Sequence, residues 1–229
     1  MKVRIKFTKE GNLKFIGHLD LLRLFQRSIK KAELPVEYSK GFNPHQLLFI
    51  ALPLSLGTTS EGEYIDIELK DFPISELEIK DRLNSVFPQG LKVKELKFLK
   101  ENIKNGMAAV DGAEYDIYIS KEKLSDHFYQ KTKEFFEQKE IWVEKRGKKE
   151  SKKINIKDKI FDYSIRENKD SWIINLLLSA GSKDNLKAEI VIKALYEYNL
   201  LDFKEYEIDI HRIDIFSRID NQLIPLSNI

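Results

Sequence analysis

"KVRIKFTKEGNLKFIGHLDLLRLFQRSIKKA", residues 2–32, changes its hydrophobic period part-way along, and that change decides the fold. Val3, Ile5 and Phe7 alternate with Lys2, Arg4 and Lys6, the period-2 pattern of a half-buried strand. From Gly17 to Ala32 the period is helical: with residues about 100° apart, Leu21, Leu22, Phe25, Ile29 and Ala32 share one face. Arg23, Arg27, Lys30 and Lys31 fall on the other face, and Leu34 and Pro35 end the helix. Beyond it, "LLFIALPL" reads as a buried strand and "EYIDIELK" as an alternating one. "SELEIKDRLNSVFPQG" is a helix with a capping box of Ser75 and Glu78, closed by Pro88 and Gly90. "LKVKELKFL" completes a βαββαβ order.

After the turn-rich "ENIKNGMAAVDGA" the same order returns with unrelated residues. "EYDIYIS" is a strand, "KLSDHFYQKTKEFFEQK" a helix and "IWVEKRGKKESKKINI" a strand–loop–strand. "SWIINLLLS", "NLKAEIVIKALYEYN" and "YEIDIHRIDIF" follow as strand, helix and strand. "KDKIFDYSI" fits neither unit cleanly, as a short helix or as an extension of the fourth strand. The expectation is an α+β protein of two tandem ferredoxin-like units with antiparallel sheets, each a split βαβ under two helices. The first unit is set at 1–103, a linker at 104–113 and the second unit, with a basic hairpin, at 114–229.

With 42% hydrophobic and 33% charged residues in 229, the chain has the composition of a globular protein. No apolar run approaches the roughly 18 residues of a membrane span, and Met1 opens directly onto a strand pattern, so a cytoplasmic location is expected. The absence of cysteine excludes disulfides, thiolate nucleophiles and iron–sulfur ligation. No metal-ligand spacing and no P-loop, GxGxxG, GxSxG or HExxH pattern is present, and no cofactor or metal is expected. Net charge is only +2, yet residues 1–50 hold ten Lys or Arg against four Asp or Glu, and residues 139–159 hold nine against four. Local patches of this kind attract polyanions more strongly than the total suggests, because distant charge is screened.

"YSKGFNPHQ", residues 38–46, carries more hydrogen-bonding side chain than a turn requires. Gly, Asn and Pro serve turn geometry. Tyr38, Lys40 and His45 do not. His18 sits on the apolar face of the first helix, where it is either a buried structural histidine or part of a site near a helix N-terminus that favours anions. His18, Asp20, Tyr38, Asn43 and His45 are the expected polar pocket, and His18, Tyr38 and His45 the candidates for any catalysis. His127 and His211 read as structural.

Arg23, Arg27 and Lys30 form a helix ridge of like charge, and Lys40 extends it; Lys145, Arg146, Lys148 and Lys149 form a second patch in "EKRGKKESKK". Each is either a solvated surface or a phosphate-contacting one. Cations beside an aromatic ring suit single-stranded nucleic acid, with charges on the phosphates and rings on the bases.

The stretch "GNLKFIGHLDLLRLFQRSIKKAELPVEYSKGFNPHQLLFIALPLSLGTTSEGEY" resembles the start of the radical-SAM-associated protein family, an uncharacterised bacterial domain found alone or attached to a radical SAM protein. The resemblance lies in "F-I-x-H-L-D" with Arg23 and Arg27, "Y-S-x-G-F-N-P-H" and "L-x-L-G…S-x-x-E", and continues by order of elements to "HRIDIF". Gly17 and Gln46 stand where the family more often has Ser and Pro. The resemblance implies a radical SAM partner. The chain lacks the three-cysteine cluster motif, so it is not itself the radical SAM enzyme. Its tandem order is also similar to that of the CRISPR repeat-processing endoribonucleases, in architecture alone. Three roles are therefore expected in this order: an RNA-binding accessory module, a metal-independent endoribonuclease using His18 or His45 as base, and a protein-interaction domain.

Overall fold

The computed structural model describes the chain except Asn102, Asp126 and residues 147–150, and the side chains of the remainder except those of Lys123, Lys145, Arg146, Ser151 and Glu205. The chain is α+β and divides into two compact units, one of residues 1–112 with 211–229 and one of 113–210.

In the first unit, β1 (Lys2–Lys9), α1 (His18–Lys31), β2 (Leu48–Ile50), β3 (Thr59–Glu68), α2 (Glu76–Val86) and β4 (Leu91–Leu99) follow the expected order. Its strands lie β4–β1–β3 with β2 on the far edge of β3, and these three pairings are antiparallel. Val3, Ile5 and Phe7 pair across to Ile67, Ile65 and Glu63, so the apolar alternation of both strands turns to one face. There Leu21, Phe25 and Ile29 of α1 and Ile79 and Leu83 of α2 close the core. Phe25 packs edge-on against both Phe7 and Phe87, with ring centroids 4.8 and 5.2 Å away.

Local signals fix the helix ends. Ser75 Oγ accepts the Glu78 N–H at 3.1 Å, half of the capping box. At the end of α1, Glu33 takes the left-handed conformation, and the Leu34 and Glu33 N–H groups donate back to Ile29 and Lys30.

Between β4 and the second unit, α3 (Gly106–Ala109) occupies the stretch read as a linker, and Asp66 Oδ2 accepts the Gly106 N–H at 2.7 Å. The second unit holds β5 (Gly112–Ser120), α4 (Phe128–Glu137), β6 (Trp142–Arg146), β7 (Ser151–Asn155), β8 (Ile160–Glu167), β9 (Ser171–Ser179) and α5 (Ala188–Tyr198). Its strands run β5–β9–β8, while β6 and β7 form a separate two-stranded hairpin. "KDKIFDYSI" is therefore a 3-10 turn at Lys157–Lys159 followed by β8, the strand that pairs with β9.

The chain continues through β10 (Ile208–Ile219) and β11 (Gln222–Pro225), which pair antiparallel around a turn where Asp220 and Asn221 both have positive φ. Residues 211–229 group with the first unit, where the sequence reading ran the second unit to residue 229. The physical reason is the parallel pairing of His211 and Arg212 with Thr59 and Ser60 of β3. Among the described residues no helix is long and apolar enough to cross a membrane.

Candidate functional site

Residues 37–47 form a hairpin at the edge of β3. The Glu37 N–H donates to the Glu68 carbonyl, the Leu47 N–H to the Glu37 carbonyl, and Tyr38 bridges to Gln46. Above this base, Ser39 and His45 clamp the two strands. The Ser39 N–H donates to the His45 carbonyl at 2.8 Å, the His45 N–H donates to Ser39 Oγ at 3.1 Å, and Ser39 Oγ meets His45 Nδ1 at 2.8 Å. Gly41 turns the tip with φ +123, a conformation that disfavours any side chain. Gln46 Nε2 donates to the Tyr38 hydroxyl at 3.4 Å. Part of the hydrogen-bonding excess in this stretch therefore serves the turn itself. Lys40, Phe42 and Asn43 are exposed, Tyr38 is half exposed, and the Phe42 ring is as open to water as in an extended chain.

The cationic ridge is exposed as expected. Leu21, Phe25 and Ile29 face the core, while Arg23, Arg27, Lys30 and Lys31 face solvent, with Asp20 Oδ1 relieving only Arg23 at 3.3 Å. The Val36–Leu69 bridge and the Glu37–Glu68 bond bring the chain leaving α1 directly to the base of the hairpin. Lys30 and Lys31 thus share one end of the unit with Lys40, Tyr38 and Phe42. Glu33 and Glu37 are the carboxylates within this connection, and from Tyr38 to Gln46 there is none.

His18 and Asp20 are elsewhere. The Gly57 N–H donates to the Lys14 carbonyl, which holds the approach to α1 beside the start of β3, whereas the hairpin leaves from the end of β3. Fourteen helical residues span about 21 Å. The expected five-residue pocket is thus two places: Tyr38, Asn43 and His45 in the hairpin, and His18 with Asp20 at the other end of α1. His18 is also exposed, not buried, because the first turn of α1 precedes the part of the helix that covers the sheet.

Motif residues farther along are structural. Ser60 Oγ donates to the Arg212 carbonyl, and Arg212 donates to both Glu63 oxygens at 2.9 and 3.1 Å and to the carbonyls of Leu52 and Pro53. This network holds the "LPLSLG" loop. Lys9 is buried beside it, and desolvation lowers its pKa, with Glu63 opposing and Arg212 adding to the effect. His211 Nδ1 meets Thr59 Oγ1 at 2.8 Å, and His127 is the N-cap residue of α4.

In the second unit the basic hairpin pairs Lys145 with Lys152 and Glu144 with Lys153 along the backbone, and Lys152 and Lys153 are exposed. The side chains of Lys145 and Arg146, and all of Lys148 and Lys149, lie outside the described residues. A separate cleft of about 380 Å³ is lined by Leu124, Tyr196, Leu201, Lys204 and Glu207, and contains none of the expected site residues. Burial, and then Glu207, push the Tyr196 phenol up to about 12. Among the described residues no group of three His, Asp or Glu could hold a metal ion.

Phe42 escaped the sequence reading, which weighed polar side chains. Its signal was an aromatic placed between Gly41 and Asn43–Pro44, where no strand or helix could bury it.

Fold and site together define a two-unit α+β protein with an exposed cationic and aromatic end on its first unit. The chain belongs to the family described as uncharacterized protein conserved in bacteria (DUF2344), whose family model matches residues 2–188. No curated protein matches the sequence. Among solved structures, a chain in the crystal structure of a Cbf5–Nop10–Gar1 complex is similar at 11% identity and a TM-score of 0.51, over 93% of this chain and 48% of that one. The chain spans about half the length of that relative, and the likeness is one of fold. An unknown protein from Galdieria sulphuraria is similar at 10% identity over 93% of this chain and 97% of that one, with a TM-score of 0.26 that carries no argument.

Proposed function

We propose that the chain is a cytoplasmic RNA-binding accessory module that works beside a radical SAM partner, built on two tandem ferredoxin-like units. The observation that carries the RNA reading is the conjunction at one end of the first unit: exposed Arg27, Lys30 and Lys31 lead into a hairpin that exposes Lys40, Tyr38 and Phe42. Cations track the phosphates of a single strand and open rings stack its bases. The "FIGHLD" and "YSKGFNPH" resemblance supports the partner. The β4–β1–β3–β2 order of the first unit, echoed by β5–β9–β8 in the second, supports the ferredoxin-like reading.

Each phosphate contact releases condensed counterion, which for single strands lowers the slope of log affinity against log salt by about 0.7. Arg23→Ala with Arg27→Ala should flatten the slope by about one to two contacts and weaken all sequences alike. An unchanged slope removes Arg23 and Arg27 from the interface.

One observation favours the endoribonuclease as a second reading. Ser39 Oγ lies 2.8 Å from His45 Nδ1 in the hairpin that also holds Tyr38, and in the tautomer in which Nδ1–H donates to Ser39 the Nε2 is the nitrogen that can act as base. Cleavage in EDTA with 2′,3′-cyclic ends, lost in His45→Ala, would support it; intact RNA under those conditions rejects it.

A further inference from the structure

We propose that Phe42 is a stacking platform for an unpaired base and that His45 is the residue that positions it. This rests on the RNA-binding reading and deepens it, since it names the substrate as single-stranded RNA and not duplex.

The ring is fully exposed, although burying a phenylalanine ordinarily stabilises a fold. It sits at the tip of a hairpin whose conformation is over-determined. The Ser39–His45 clamp closes the strands three residues from Phe42, Gly41 turns the chain with φ +123, and Pro44 fixes the backbone on the other side. A clamped tip pays little ordering entropy when the ring meets a ligand.

The surroundings choose the ligand. Lys40 is exposed two residues before Phe42, the sequence from Tyr38 to Gln46 holds no carboxylate, and Tyr38 presents a second, half-exposed ring at the hairpin base. An apolar protein pocket would be matched by an aromatic ring alone. Rings interleaved with cations match bases joined by phosphates. In a duplex the base faces are already stacked on each other, so the tip has a face to meet only where bases are unpaired. His45 acts on the tip as a positioning residue: its backbone N–H and Nδ1 are both engaged in holding it.

The test is a titration of a fluorescent single-stranded RNA and of the same sequence as a duplex, with wild type, Phe42→Ala, Phe42→Trp, His45→Ala and His45→Asn. Because Phe42 touches solvent alone, its variants should unfold at the wild-type temperature. Phe42→Ala should weaken single-strand binding by about 5- to 150-fold, leave the salt slope unchanged and leave duplex binding unchanged. Phe42→Trp should bind at least as tightly as wild type. His45→Ala should lose part of the same affinity, and His45→Asn, which retains hydrogen-bonding groups, should recover some of it. Wild-type affinity in Phe42→Ala overturns the inference while the RNA reading stands, and so does a loss that falls equally on duplex. No binding by wild type at low salt removes the RNA reading, and this inference with it.

Discussion

Asp66 accepts Arg4 Nε at 2.8 Å and Arg4 Nη2 at 3.0 Å, and its second oxygen also takes the Gly106 N–H. The pair is buried, and Arg4 further donates to the Leu226 and Lys104 carbonyls, so one guanidinium fastens β1, β3, the stretch before α3 and the C-terminal turn. Asp66→Ala strands that charge and should cost about 3–5 kcal/mol in urea unfolding. A loss below about 1 kcal/mol would show that the site relaxes or hydrates instead. Tyr196 predicts a pH effect. Its folded pKa of about 12 lies above the ordinary phenol value of about 10. Between those values the unfolded chain releases a proton that the folded chain keeps, so this contribution is complete below pH 10 and is lost as pH rises through 12. Stability of Tyr196→Phe should fall less steeply than wild type from pH 9 to 11 in paired denaturant titrations; parallel curves would contradict the assignment. At this scale the sequence showed which residues were polar, but not where they met. Tyr38 and His45 do share one turn, whereas His18 on its apolar wheel position is exposed, because a wheel gives direction and not depth along the helix.

Gly62 lies in β3 close against the backbone of β10. A Cβ there would stand 2.2 Å from the Ile213 carbonyl oxygen and 2.6 Å from the Asp214 Cα, both backbone atoms that cannot turn aside. Gly62→Ala should destabilise by about 1–3 kcal/mol by prising β10 from β3. Gly17→Ser is the contrast: its Cβ would meet Asp20 Oδ2 alone at 3.9 Å, and the hydroxyl adds the cap α1 lacks, a gain of a few tenths of a kcal/mol. Thermal unfolding of the two variants should move in opposite directions. Element order in the first unit was readable because strand and helix periods differ sharply there. α2 also fastens itself to β4 by side chain, with Asn84 and Lys80 bonding the backbone at Val93 and Lys94, which blocks that edge to foreign strands. β8 was harder to read because its register with β9 shifts between Ile160 and Asp162, and that irregularity breaks the alternation that marks a strand.

Two units arise from one chain that leaves the first unit at residue 112 and returns to it at 211. The sequence could not mark that return, because "YEIDIHRIDIF" is one uninterrupted strand pattern in which nothing marks His211 and Arg212 as partners of β3. The element order of the first unit was visible, and its discontinuity was not. Function is proposed to reside in surface chemistry: the buried polar groups, Arg4 with Asp66 and Arg212 with Glu63, hold elements together, while the exposed Arg27, Lys30, Lys31, Lys40 and Phe42 hold nothing that the fold requires. The most direct measurement is equilibrium binding of wild-type protein to a fluorescent single-stranded RNA from low to moderate salt. An RNA-binding surface of these cations predicts measurable affinity with a log–log slope of about −2 to −3, the share of three to four phosphate contacts. No binding at the lowest salt, or affinity that salt does not change, would contradict it.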